Sequence, residues 1–210
     1  MDRSHLLCSL CISQMEILNP DNRCERCFSM KDPSLPCYGC IAVKSPFIAL
    51  GSVFDYEGPA GALVKQFKYG RHAFLAQPMA AYLAAQTIRL DWPLPDYIVP
   101  APLSSMRYLT RGFNQSEQLA LEMSNILGSS MALALGRYAG DYSQAGMLRE
   151  QRVQLNNKNF VLLDAHKLKN KIIYLVDDVI TTGQTLRICA ELLQKASPQA
   201  IYGLTFCKAK

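Results

Sequence analysis

The 210-residue sequence predicts an α/β protein: a parallel sheet flanked by helices, with a small Cys-rich zinc ribbon in front of it. Three observations carry this. Short apolar runs, among them "FVLL" (160–163), "KIIYLV" (171–176) and "IYGLTF" (201–206), alternate with helical patterns and lack hairpin signals. Half of the residues are apolar and 19% are charged, the composition of a chain that buries a core. Six of the eight cysteines lie in the first 40 residues. The expected division is 1–46 for the ribbon and 47–210 for the α/β domain.

The six cysteines form three Cys-x-x-Cys pairs: Cys8/Cys11, Cys24/Cys27 and Cys37/Cys40. Such a pair points two thiolates at one place, and two pairs complete a tetrahedral Zn²⁺ site. Either Cys24/Cys27/Cys37/Cys40 or Cys8/Cys11/Cys24/Cys27 makes a compact site. The surplus pair is then the relic of a second ribbon or uses another ligand such as His5. A segment of this size with little apolar content cannot hold itself together by burial, so metal binding supplies its folding energy. Cys189 and Cys207 sit singly in apolar stretches and read as small buried hydrophobes.

The elements follow in order. "FIALGSVFDY" (47–56) is a strand, and "EGPAG" turns the chain. Residues 62–90 carry helical periodicity, with breaks expected at Gly70 and Pro78. "DYIVPAP" (96–102) is a strand ending in Pro, and 114–127 is a helix that starts on polar caps and stops before Gly128. "MALAL" (131–135) is a strand. Residues 136–159 are polar and aperiodic, and a loop this long inside a compact domain is usually functional or disordered. After the strands at 160–163 and 171–176 comes a helix over 185–196, then the strand at 201–206.

The most informative stretch is "IIYLVDDVITTGQTL" (172–186). In open parallel sheets, ligands sit at the carboxyl ends of strands. There the strand delivers Asp177 and Asp178. The loop behind them enters a helix, so its backbone N–H groups and the helix N-terminus form an anion site. Thr181, Thr182 and Thr185 add hydroxyls, and Gly183 permits close backbone approach. Two acids repel a phosphate, but they accept hydrogen bonds from vicinal hydroxyls or help hold Mg²⁺ through water. A diol-binding pair beside a phosphate loop describes a ribose 5-phosphate. No Gly-Lys-Ser/Thr is present, which excludes a Walker loop.

"YLVDDVITTGQT" resembles the phosphoribosyl pyrophosphate (PRPP) motif of type I phosphoribosyltransferases. "VPAPLSSMRYLTRGFNQSEQLA" (99–120), with its Arg-Gly-Phe-Asn-Gln core at Arg111–Gln115, resembles the second signature of the ComF/GntX subfamily. "LVKQFKYGRH", "SQAGMLREQRVQLNNKNF" and the Cys-rich ribbon are similar to the same subfamily. The resemblance covers nearly the whole chain. It implies a type I phosphoribosyltransferase-like fold in which Asp177 and Asp178 contact the ribose hydroxyls and Thr181, Thr182, Gly183, Gln184 and Thr185 bind the 5-phosphate. The first βα turn falls where a pyrophosphate should lie, and Arg107 and Arg111 can neutralise it; surface arginines on a loop are the plainer alternative. Asn114 and Gln115 read as caps of the next helix, and Phe113 as core.

The subfamily is associated with DNA uptake in natural transformation. The resemblance therefore implies a PRPP-binding protein of the competence machinery with single-stranded DNA as partner. The alternative is an active transferase that moves ribose 5-phosphate from PRPP to a nucleobase-like acceptor, with Mg²⁺ screening the pyrophosphate. Net charge is +5, and all of the excess lies in residues 51–210, which suits a phosphorylated ligand or a nucleic-acid surface. Lys65, Lys68 and Arg71 at three-residue spacing make a basic stripe beside Phe67 and Tyr69, either a phosphate clamp, a stacking surface or a solvated face. Ser143, Gln144, Arg149 and Arg152 lie in a loop that can fold over a ligand. No apolar run approaches the length of a membrane span, and the N-terminus lacks a secretory apolar region, so a cytoplasmic protein is expected.

Overall fold

The computed structural model of the chain describes residues 7–32, 34–41, 45–70, 72–137 and 160–209. His5, Arg71, Ser143, Gln144, Arg149 and Arg152, and the stretch 138–159, lie outside the described residues. The described strands are β1 (Ala49–Asp55), β2 (Tyr97–Pro100), β3 (Ser130–Met131), β4 (Leu135–Arg137), β5 (Phe160–Leu162), β6 (Ile172–Ile180) and β7 (Ala200–Lys208). The helices are α1 (Ser9–Ser13), α2 (Tyr38–Ile41), α3 (Gly58–Tyr69), α4 (Ala76–Arg89), α5 (Ser105–Arg111), α6 (Gln115–Leu127) and α7 (Gln184–Gln194).

Five strands form one sheet in the order β1-β7-β6-β2-β3, and every neighbouring pair is parallel. Such a sheet must be covered on both faces, which explains why its strands read as continuous apolar runs and not as alternations. On one face Val64 and Phe67 of α3, Met79 and Leu83 of α4, and Leu119 and Met123 of α6 pack with Tyr174, Val176, Leu204 and Phe206. On the other, Leu186, Cys189 and Leu193 of α7 pack with Ile173, Leu175 and Ile201. The antiparallel pair β4–β5 adds Leu135, Phe160 and Leu162 to this second core. Cys189 and Cys207 are both fully buried in these cores.

Several elements differ from the sequence expectation for identifiable reasons. Pro78 does not break a helix: α4 begins at Ala76, and a proline in the first turn lacks only an N–H that would have no partner there. Residues 131–135 do not form one strand. Met131 ends β3 in the parallel sheet, and Leu135 starts β4 in the separate pair. Helix α5 escaped notice because it buries none of its residues, so no apolar period marks it. Strand β6 continues to Ile180, which puts both acids inside the strand.

The Cys-rich segment lies along the outer side of β1, an edge strand in need of cover. Leu18 N–H donates to Val53 O at 2.8 Å and Leu50 N–H to Glu25 O at 3.1 Å. The buried Gln86 amide of α4 donates to Leu18 O at 3.1 Å and to Ser52 O at 2.9 Å. Arg23, 8% exposed, reaches Asp55 at 3.4 Å and donates to Phe28 O at 3.2 Å. The segment is therefore held by the sheet as well as by whatever its cysteines bind.

Candidate functional site

The topology selects one place. The chain leaves β2 towards β3 on one side of the sheet and leaves β6 towards β7 on the other, so the connections diverge between β2 and β6. At such a switch point, neighbouring loops part and leave a crevice at the carboxyl ends of the strands. A cavity of about 500 Å³ opens there. Ala101, Pro102 and Leu103 beyond β2 form one wall, and Asp177–Leu186 form the other.

The two acids have different surroundings. Successive strand residues face opposite sides of a sheet. Asp178 follows Tyr174 and Val176 and is 6% exposed. Lys68 of α3 meets it, Nζ to Oδ1 at 2.9 Å, with side chains only 16% and 8% exposed. Asp177 is the first residue beyond the last β2 pair, Pro100 with Val176. Ser116 from the start of α6 occupies that place and donates its hydroxyl hydrogen to Asp177 Oδ1 at 2.8 Å. The Asp178 N–H donates to the same oxygen at 2.9 Å. Burial, and then the charge of Asp178, pushes the Asp177 carboxyl up to about 6 against the opposing pull of Ser116, the Asp178 amide and Lys68.

Thr181, Thr182, Gly183, Gln184 and Thr185 all line the cavity. Gly183 adopts φ 72°, the left-handed region where glycine avoids a Cβ clash, and turns the chain into α7. No acidic residue stands in the first turn of α7 and no side chain caps it. The Gln184 N–H donates to the Thr182 hydroxyl oxygen at 3.4 Å. A helix start with no acid in its first turn has the geometry that suits an anion.

Arg107 and Arg111 lie one turn apart on α5, and both line the cavity. Arg111 Nη1 donates to Gln115 Oε1 at 3.0 Å, and its guanidinium sits 5.5 Å from the Tyr69 ring centroid. Gln115 is buried, and its Nε2 is a donor without an acceptor among the described residues. Asn114 caps α6, its Oδ1 accepting from Ser116 N at 3.1 Å. Phe113 packs against the core, its ring 5.5 Å from that of Phe67.

Three contributions were not visible from sequence. Ser116 looks like an ordinary capping-region residue. Arg137, at the start of the aperiodic stretch, lines the cavity with its guanidinium 4.8 Å from the Phe160 ring centroid. Burial, and then the charge of Arg107, lowers its proton affinity, and both arginines line the cavity. The third is the role of Lys68. The basic stripe does not exist as one free face: Lys68 turns to Asp178 and Phe67 is fully buried, while Lys65 and Tyr69 are exposed.

The cysteines resolve into one group. The ligand atoms of Cys24, Cys27, Cys37 and Cys40 all lie within 4.8 Å of one another. The Sγ atoms of Cys24 and Cys40 are 3.8 Å apart and those of Cys27 and Cys37 3.6 Å. A tetrahedron with Zn–S bonds of about 2.3 Å has edges of about 3.8 Å, so this four-sulfur set fits zinc. Burial opposes ionisation of Cys27, but hydrogen bonds from Ser29 and the neighbouring thiols outweigh it and bring the thiol down to about 7. Cys8 and Cys11 lie outside the group: Cys8 caps the N-terminus of α1, its Sγ accepting from the N–H of Cys11 within the helix at 3.4 Å.

The fold and this crevice define a class, the phosphoribosyltransferase-like proteins. The pattern of the "Phosphoribosyl transferase domain" family matches residues 114–210, which include both acids and the loop. DNA utilization protein YhgH of Salmonella typhi is 31% identical over 96% of this chain and 90% of its own length. Competence protein F of Haemophilus influenzae is 30% identical over 70% of this chain and 66% of its own length. The chain belongs to the ComF/GntX family of phosphoribosyltransferase-like proteins with an N-terminal Cys-rich zinc ribbon. Among solved structures, adenine phosphoribosyltransferase from Saccharomyces cerevisiae has a TM-score of 0.43 and 15% identity over 68% of this chain and 72% of that one.

Proposed function

We propose that the cavity binds PRPP and that the protein acts in natural competence, handling single-stranded DNA in the cytoplasm beside other proteins of the uptake machinery. The observation that carries the binding is the juxtaposition, in one crevice, of Asp177, whose Oδ2 has no partner among the described residues, and the helix start at Gly183–Thr185. The ribose hydroxyls donate to Asp177, the amides of 183–185 hold the 5-phosphate, and Arg107, Arg111 and Arg137 face the pyrophosphate. The buried Nε2 donor of Gln115 supports an oxyanion at that end. The printed names of the relatives, DNA utilization and competence, support the DNA role, as does the positive charge of residues 51–210. We also propose that residues 1–46 form the zinc-binding module and 47–210 the ligand-binding domain, with Asp177 and Asp178 as the residues any transfer chemistry would need.

Mg²⁺ fits this site only as part of the ligand. Asp178 Oδ1 already faces an ammonium at 2.9 Å, and Arg107, Arg111 and Arg137 line the cavity, so an ion arriving with the ligand would find Asp177 as the acid able to help hold it through water. Bound with the ligand, it would neutralise charge on the leaving pyrophosphate.

The test is calorimetry with PRPP, pyrophosphate release with a panel of bases, and retention of single-stranded DNA. Each is measured for the wild type and for Asp177→Ala/Asp178→Ala. PRPP heat that disappears in the variant, with salt-sensitive DNA retention, supports the reading. Base-dependent turnover converts it to the active transferase. Absence of PRPP heat in the wild type ends it.

A further inference from the structure

We infer that Lys68 is a built-in cation of the acid pair: by neutralising Asp178, it lets the sugar end of the cavity take a ribose 5-phosphate without a divalent metal ion. This rests on the reading above that the cavity takes a ribose phosphate.

The pair is not surface decoration. Lys68 and Asp178 are 16% and 8% exposed, and a buried charge left without its partner is strongly disfavoured. Helix α3 presents Lys68 from a fixed position, because Leu63, Val64 and Phe67 on the same helix are buried in the core. Without Lys68, Asp177 and Asp178 would offer up to two negative charges to an incoming anionic sugar phosphate, and a divalent cation would have to screen them. With it, one acid is compensated inside the protein. The ammonium has three hydrogens, and its bond to Asp178 uses one, so donors remain for a ligand hydroxyl. Lys68, Asp177 and Asp178 all line the same cavity. A metal ion ligating Asp178 Oδ1 would stand beside the retained ammonium, two cations on one oxygen. The chain has thus placed a monovalent charge where a divalent one would otherwise go.

The experiment is isothermal titration with ribose 5-phosphate, which lacks the diphosphate that itself chelates metal. It is run in EDTA and in Mg²⁺ on the full chain as wild type, Lys68→Met and Lys68→Arg, with PRPP as a parallel ligand. The wild type is expected to bind ribose 5-phosphate with affinities that agree within about threefold in the two buffers. Lys68→Met is expected to bind about tenfold or more weaker in EDTA, the scale of one charged hydrogen bond, and to recover in Mg²⁺. Lys68→Arg keeps the charge and should stay near the wild type. Wild-type binding that needs Mg²⁺ overturns the inference and leaves PRPP recognition standing. Equal binding by wild type and Lys68→Met in EDTA also overturns it. Failure of the wild type to bind either ligand in either buffer removes the underlying reading and the inference together. If Lys68→Met does not fold by circular dichroism, the metal dependence of the wild type and of Lys68→Arg decides.

Discussion

Ser116 Oγ and the Asp178 amide both donate to one oxygen of Asp177, Oδ1, at 2.8 and 2.9 Å. Oδ2 has no partner among the described residues. One carboxylate oxygen thus fixes the side chain and the other is left for a ligand, while burial holds the group near a pKa of about 6.

Asp177→Asn should stabilise the protein at neutral pH. Asn Oδ1 still accepts both hydrogen bonds. In the wild type the folded carboxyl titrates at about 6 and the unfolded one near 3.8. Between those values the unfolded chain ionises first, so wild-type stability falls as pH rises through the window and is level above it. The variant lacks this loss. Urea melts should show its advantage growing from about pH 4 to 6, to about 1–3 kcal/mol, and then constant.

Ser116→Ala removes a donor that favours the ionised form. The Asp177 carboxyl should move further up. Ribose phosphate binding, which needs the carboxylate, should gain strength with rising pH at a correspondingly higher midpoint. Titrations at several pH values in the two proteins measure that displacement.

Gly183→Val puts a β-branched residue at φ 72°, with its Cβ 3.3 Å from Ile180 Cδ1. Backbone strain of this kind costs about 1–3 kcal/mol. Thermal melts should register the loss. Phosphate-bearing ligands should lose measurable binding, because the amides of the loop no longer converge.

Arg137→Ala should weaken PRPP binding by about tenfold or more while leaving ribose 5-phosphate affinity within about twofold, since the arginine serves the pyrophosphate end. Parallel titrations with the two ligands separate this from a general loss of fold.

Metal content should follow the four-sulfur group. Cys37→Ser or Cys40→Ser should abolish tightly bound zinc, and Cys8→Ser/Cys11→Ser should leave the ratio near one per chain. Chelation should lower the melting temperature without abolishing the sheet, because Gln86, Arg23 and the Leu18 and Leu50 amides still tether the segment. Plasma emission spectrometry and melting curves check both statements.

How much of this was legible beforehand depends on range. The strand–acid–loop at 172–186 is a local pattern, and its place at a strand end followed from apolar run, acids, glycine and helix in sequence. The Cys-x-x-Cys spacing announced a metal group, but choosing among three pairs needed the fold, which brings Cys37 and Cys40 to Cys24 and Cys27. Ser116 and Lys68 were out of reach for a plainer reason. Ser116 lies 61 residues from Asp177, and Lys68 meets Asp178 only through the packing of α3. Nothing local marks them as its partners. Helix α5, with no buried residue, carried no periodic signal, so Arg107 and Arg111 were expected on a loop.

The position of β7 has a consequence for how the molecule comes into being. It separates β1 from β6, and Ser52 and Thr205 share a buried hydrogen bond across 153 residues. On the ribosome, β1 emerges early and must wait for its neighbour until synthesis has passed Lys208. Contacts this distant make assembly slow and expose an unpaired edge meanwhile. The Cys-rich segment, already made, covers the outer side of β1, so the side that β7 will take is the one left open until the sheet closes.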